Sequence, residues 1–179
     1  MHFFNRTNYC FLETFNESTI LNLPKNTSVI YRNYKNINNI GEIIQLKKIC
    51  KKHKKKLYLS NNILLSIKLG LDGAYIPSFN RQFCHNNYSI KKKFKFLGSA
   101  HNLKEIKIKE KQKVELIFIS PLFPTKNKKK CLGIYKFIIL KNLTKIPVAC
   151  LGGINSHNIK QIKLVGSLNI GGIKMFKLV

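Results

Sequence analysis

Pro147-Val-Ala-Cys-Leu-Gly-Gly-Ile-Asn-Ser-His-Asn158 runs four apolar residues straight into Gly152 and Gly153, with a helix-start signal at Asn155 and Ser156 behind them. A short apolar run of this kind reads as a strand buried on both faces, as in a parallel sheet. The paired glycines make a turn in which no Cβ blocks the close approach of a ligand. A helix starting there would present unpaired N–H groups and the positive end of its dipole, which suits a phosphate. An ordinary β-to-α turn, with glycine serving only sterics, fits the same residues. The rest of the chain distinguishes the two.

Outward from this stretch, the strand-then-helix pattern repeats along the chain. Strands are predicted at Tyr9–Phe15, Ser28–Tyr34, Leu57–Leu59, Gly73–Ile76, Phe94–Leu97, Leu116–Ile119, the opening stretch, and Leu168–Lys174. Between them, helical pieces are predicted at Ser18–Leu23, from Ile40 to Cys50 with lysines crowding its end, after Asn61-Asn62 up to Gly70, after the Asn102…Glu105 capping box, from about Tyr135 to Leu143, and through Ile159 and Ile162 to Gly166. Eight strands alternating with helices predict an α/β fold in which an all-parallel sheet closes into a (β/α)8 TIM barrel. At 179 residues it is compact beside the usual barrel of about 250, and the last helix is expected to be truncated. An open doubly wound sheet is the alternative, but no G-x-G-x-x-G follows the first strand. The whole chain, 1–179, reads as one barrel domain.

Composition bounds the partners. The chain carries 33 Lys+Arg against 7 Asp+Glu, yet only Arg6, Arg32 and Arg81 are arginine. Arginine forks are the usual readers of base edges, whereas lysine acts as a point charge. The charge therefore reads as a solvated lysine surface that favours anions generally, and nucleic acid is disfavoured as a partner. Five cysteines, Cys10, Cys50, Cys84, Cys131 and Cys150, form no C-x-x-C pair and read as reduced, mostly buried thiols. No signal peptide is evident and no apolar run reaches bilayer length, so a cytoplasmic location and no membrane partner are expected.

Barrel ligands sit at the C-terminal ends of the strands. Those ends carry Arg32, Ser60-Asn61-Asn62, Ser78, Ser99-Ala-His101, Pro121 to Lys128, Gly152-Gly153 and Ile173-Lys174. The set is small, polar and basic, as a phosphate ester requires. His101 reads as an aid to the helix start, and His53 and His85 as exposed.

Gly70-Leu-Asp-Gly73, Ser99-Ala-His-Asn102, Ser120-Pro-Leu-Phe-Pro-Thr-Lys-Asn-Lys128 and Val148-Ala-Cys-Leu-Gly-Gly-Ile154 resemble, in order and spacing, the thiamine phosphate synthase/TenI superfamily. The resemblance covers Tyr9 to Phe176 and implies a (β/α)8 barrel. It implies an enzyme of thiamine biosynthesis that joins hydroxymethylpyrimidine diphosphate to thiazole phosphate and releases pyrophosphate with magnesium. By that resemblance, Thr125, Asn127, Gly152, Gly153, Ile173 and Lys174 bind the thiazole phosphate. Ser99 and Lys128 contact the diphosphate, with Arg32 and Lys128 in catalytic roles. The lysine run at 126 and 128 to 130 is expected to act as an anion lid.

The magnesium half departs from the family pattern. Asn61 stands where the family has one metal aspartate, and the second falls near Asn80. An asparagine carbonyl is a poor replacement for a carboxylate, so Mg2+ is only weakly implied, with Asn61 its remaining ligand position. The one aspartate of the chain, Asp72, reads as structural. The TenI-type tautomerase histidine is replaced by Pro121, which removes that chemistry. The alternative function is a diverged TenI-like member that binds a phosphorylated thiazole or related ester without synthase activity. The family also suggests a homodimer.

Overall fold

The computed structural model describes residues 7–35, 39–125, 129–166 and 169–172. Eight parallel strands close into a barrel in sequence order: β1 (Thr7–Leu12), β2 (Thr27–Tyr31), β3 (Leu57–Ser60), β4 (Gly73–Ile76), β5 (Lys95–Ala100), β6 (Leu116–Ile119), β7 (Val148–Leu151) and β8 (Asn169–Gly172). Strand β8 returns to β1, pairing Asn169 with Thr7 and Gly172 with Cys10. This is the (β/α)8 barrel expected from the sequence. Among the described residues, five α-helices lie in the strand connections: α1 (Glu17–Leu21), α2 (Ile40–Lys52), α3 (Ile63–Lys68), α4 (Leu103–Lys111) and α5 (Gly133–Asn142). Asn16, Asn39, Asn62 and Asn102 start the first four, each side-chain oxygen accepting the N–H three residues on.

Both faces of the strands are covered. Outward-facing Val29, Tyr31, Leu57 and Leu59 pack with Ile43, Leu46 and Cys50 of α2, and Ile117, Ile119, Val148 and Cys150 pack with Ile106, Phe137 and Leu140 of α4 and α5. The alternate residues point inward and are largely aromatic: Tyr9, Phe11, Tyr58, Tyr75 and Phe118. Their rings meet edge to face, Tyr9 on Phe118 at 5.1 Å and Phe11 on Tyr75 at 5.3 Å between centroids. Gly171 makes room for them, since a Cβ there would lie 2.9 Å from Phe118 Cε1.

Three departures from the predicted elements matter. Strand β2 stops at Tyr31, leaving Arg32 and Tyr34 on the rim. Strand β5 continues to Ala100, so Ser99 belongs to the barrel wall. The segment after β7 is a 3₁₀ run, Ile159–Val165, rather than an α-helix. The residues before it hold an asparagine turn: Asn155 Oδ1 accepts from the N–H groups of His157 and Asn158, and Asn158 Oδ1 accepts from the N–H of Asn155. Side-chain oxygens thus take N–H groups that were expected to face a phosphate. The expected truncation of the last helix concerns residues 173–179, outside the described residues.

Candidate active site at the barrel mouth

Continuing the inward alternation past the aromatic layer reaches hydroxyls. Ser60 and Ser99 occupy the last inward positions of β3 and β5, Ser120 follows directly on β6 in the same parity, and all three are buried. Ser99 hydrogen-bonds Tyr75, whose phenol burial pushes far above its ordinary pKa and so keeps protonated. A floor of aromatic rings topped by hydroxyls gives the mouth an apolar base and a polar rim.

The glycine pair meets the loop that follows β6. That loop extends the ladder beyond the strand: Leu122 N–H donates to Leu151 O at 2.9 Å, and Phe123 N–H to Gly152 O at 3.1 Å. A Cβ on Gly152 would lie 2.9 Å from Pro121 Cα, and one on Gly153 would lie 2.5 Å from Pro124 O. Gly152 (φ 91°) and Gly153 (φ 70°) also occupy the left-handed region. The group that closely approaches these glycines is the chain's own loop, at Pro121 for Gly152 and at Phe123 and Pro124 for Gly153.

A second cluster forms the β3/β4 corner. Asn80 Nδ2 donates to Asn61 Oδ1 at 2.8 Å, joining the two positions where the resemblance puts metal aspartates. Tyr34 and Ser60 share a hydroxyl contact of 3.1 Å, and the Tyr34 ring meets Phe79 edge-on at 5.7 Å. The Arg32 guanidinium lies over the rings of Phe11 (5.4 Å) and Tyr34 (5.9 Å) and donates to Glu13 at 3.2 Å.

A sequence model of the family described as thiamine monophosphate synthase matches residues 13–176. The chain belongs to the thiamine monophosphate synthase family. A thiamine-phosphate synthase of Listeria welshimeri is 26% identical over 129 residues, 69% of this chain and 62% of that protein. One from Prochlorococcus marinus is 31% identical over 130 residues, 71% of this chain. The chain thus spans less than two thirds of these relatives, and only 37% of the second. The solved thiamine phosphate pyrophosphorylase of Pyrococcus furiosus superposes with a TM-score of 0.77 over 95% of this chain and 86% of its own, at 18% identity, a likeness of fold.

The residues of the β3/β4 corner do not fit magnesium. Asn61 and Asn80 are neutral amides bonded to each other, where the ion needs charged oxygen ligands. Among the described residues, no three His, Cys, Asp or Glu groups gather at one place. Asp72 lies at the opposite end of the barrel, where its carboxylate accepts the Leu57 N–H at 2.8 Å, a structural contact.

His101 ties the ends of β5 and β6 together. Its N–H donates to Glu105 at 2.7 Å, and its ring Nδ1 lies 2.7 Å from Ser120 O. A carbonyl only accepts, so Nδ1 carries a proton. The carboxylate of Glu105 also accepts from the Asn102 side chain, so this capping box closes on His101 rather than on the Asn102 main chain.

His85 corrects the sequence reading. It is buried against Phe96, with Nε2 3.0 Å from Gln112 O, because the β4–β5 connection has no α-helix and packs side chains on the barrel instead. Cys84 is exposed and Cys10, Cys50 and Cys150 are buried. Lys126, Asn127, Lys128, Ile173 and Lys174 lie outside the described residues. Sequence reasoning missed Tyr34, Tyr75, Phe79 and Ser120 as parts of the mouth. Strand parity carried to the rim would have found Tyr75 and Ser120. Among the described residues, no helix is long and apolar enough to cross a membrane.

A cavity of about 480 Å³ opens at the N-terminal end of the strands, lined by Lys47, Lys51, Lys54 and Asp72 among others. Two of its lysines already serve main-chain carbonyls, Lys47 on Leu69 and Lys55 on Leu23 and Pro24. That end of a barrel serves stability, and the chemistry belongs to the mouth.

Proposed function

We propose that this chain is a thiamine phosphate synthase-type transferase, one barrel domain over 1–179 acting on small phosphorylated substrates. The observation that carries the reading is the Thr125 loop seated on Gly152-Gly153 in a chain of this family. Thr125, Asn127, Gly152, Gly153, Ile173 and Lys174 hold the thiazole phosphate, and Ser99, Arg32 and Lys128 face the diphosphate. The thiazole ring nitrogen forms a bond to the exocyclic methylene carbon of the pyrimidine. The carbon–oxygen bond to the diphosphate breaks, and its electron pair leaves with pyrophosphate. Arg32 and Lys128 stabilise the charge that develops on that leaving group. The aromatic floor excludes water from the reacting carbon, and the hydroxyl rim orients the ring substituents.

A second reading, binding of a phosphorylated thiazole or related ester without coupling, is supported by the Asn61–Asn80 amide pair. Purified protein incubated with both substrates tests the two. Thiamine phosphate as product supports the synthase. No product, with thermal stabilisation by thiazole phosphate alone, supports the binding protein, and neither response rejects both.

A further inference from the structure

The β4–β5 connection, residues 77–94, is irregular apart from a 3₁₀ turn at Cys84–Asn87, yet it is held firmly from behind. Lys109 of α4 is wholly buried, and its ammonium donates to Pro77 O at 2.8 Å, Asn80 O at 2.8 Å and Gln112 Oε1 at 2.7 Å. Gln112 Nε2 adds bonds to Asn80 O at 3.1 Å and Gln82 O at 2.8 Å. Burial draws the Lys109 pKa down to about 8, partly opposed by Glu105, so the side chain is still charged at neutral pH. Three donors meeting three oxygens fix the backbone of Asn80.

The Asn80 side chain then has only one orientation. Its Oδ1 accepts the Gln82 N–H at 2.9 Å, so the end turned to Asn61 is the amide nitrogen. Asn61 must therefore present its oxygen to Asn80. Its backbone is held by an N–H donated to Tyr75 O at 2.8 Å. What Asn61 has left is its Nδ2 group, which has no acceptor among the described residues. The corner thus shows the polarity opposite to that of a cation site: its oxygen is occupied and its N–H groups are available. One hydroxyl proton of the Tyr34–Ser60 pair is likewise available, because only one is needed between them. Arg32 supplies the charge, and among the described residues its ion-pair partner is Glu13, whose side chain is 64% exposed.

We propose that the corner formed by Arg32, Ser60, Asn61 and Asn80 binds the phosphate oxygens of a diphosphate directly, with no divalent cation between protein and anion. It rests on the proposed function only in taking that diphosphate to be the substrate's.

The test is calorimetric titration of the full chain with inorganic pyrophosphate, in EDTA and in magnesium. Binding in EDTA within about threefold of that in magnesium is expected. Asn61→Asp, which turns a donor into a carboxylate facing the anion, should weaken binding in EDTA by about tenfold or more. Asn61→Gly keeps the left-handed backbone (φ 60°) and removes the donor, and should also weaken it. Binding that requires magnesium overturns the proposal. So does equal affinity in the wild type and both variants, which would assign the anion to surface lysines. The coupling assay separates this from the proposed function. Pyrophosphate binding in EDTA without product formation rejects the synthase alone, and product formation together with pyrophosphate binding that requires magnesium rejects the direct contact alone.

Discussion

The carbonyl oxygen of Phe123 fills the space into which a side chain on Gly153 would project. Gly153 and Gly133 have the same φ, 70°, but a Cβ on Gly133 would meet nothing within 4 Å. The pair therefore separates backbone strain from displacement of the loop. Gly133→Ala should cost about 1 kcal/mol, the penalty of a left-handed alanine. Gly153→Ala should cost about 3 kcal/mol or more, because backbone oxygens must also move. Chemical denaturation measures both. Only the Gly153 change should also abolish stabilisation by thiazole phosphate, since it displaces the loop that carries Thr125.

Lys109 makes stability depend on pH in a definite direction. Its pKa is about 8 in the folded protein against an ordinary 10.5. Between those values the unfolded chain holds more protons, so the group's contribution to stability rises with pH across that window and is flat below it. Neutralising surface lysines would raise stability too, so the comparison is with Lys109→Met. The wild type should gain about 3 kcal/mol relative to the variant between pH 8 and 10.5. At pH 7 the variant should still be the less stable protein by about 2 kcal/mol, as buried acceptors on Pro77 and Gln112 lose their donor. Urea unfolding at stepped pH measures both.

The barrel was readable because short continuous apolar runs alternating with helical pieces admit few other folds, and the glycine turn announced the mouth. What could not be read follows from chemistry that is local and repeated. In a chain with 33 basic residues, nothing marks Lys109 as the one that is buried against three oxygens. His85 looked exposed among polar neighbours, and only the missing helix between β4 and β5 puts it on Phe96. Asn155 and Ser156 signalled an α-helix, but the Asn155–Asn158 pair closes on itself and a 3₁₀ run follows. The Asn61–Asn80 contact joins residues 19 apart, and its direction emerges only when Gln82 is seen to hold the other end of Asn80.

Restoring carboxylates at that contact should create a cation site. Asn61→Asp/Asn80→Asp would set two negative groups where amides now lie 2.8 Å apart. Like charges so close raise the pKa of one of them and destabilise the fold without a counterion. The double variant should therefore melt below the wild type in EDTA and recover on adding magnesium or manganese. The wild type should show no such response. Thermal melting with and without the metals checks this, and a double variant indifferent to them would mean that the corner cannot close around an ion.

Glu13 competes with any anion for Arg32. The pair is a single contact of 3.2 Å, with the carboxylate 64% and the guanidinium 24% exposed, so it contributes little to stability. Glu13→Gln should leave the melting temperature nearly unchanged. It should nevertheless raise pyrophosphate affinity, by about two- to threefold at low salt, because the guanidinium no longer shares its charge. Arg32→Lys should act in the opposite direction and lower affinity by about tenfold, since an ammonium cannot present a planar fork to phosphate oxygens while lying over Phe11 and Tyr34. Titration of the two variants at several salt concentrations gives both changes. The Glu13 effect should fade as salt rises, while much of the Arg32 effect should remain, because it reflects geometry as well as charge.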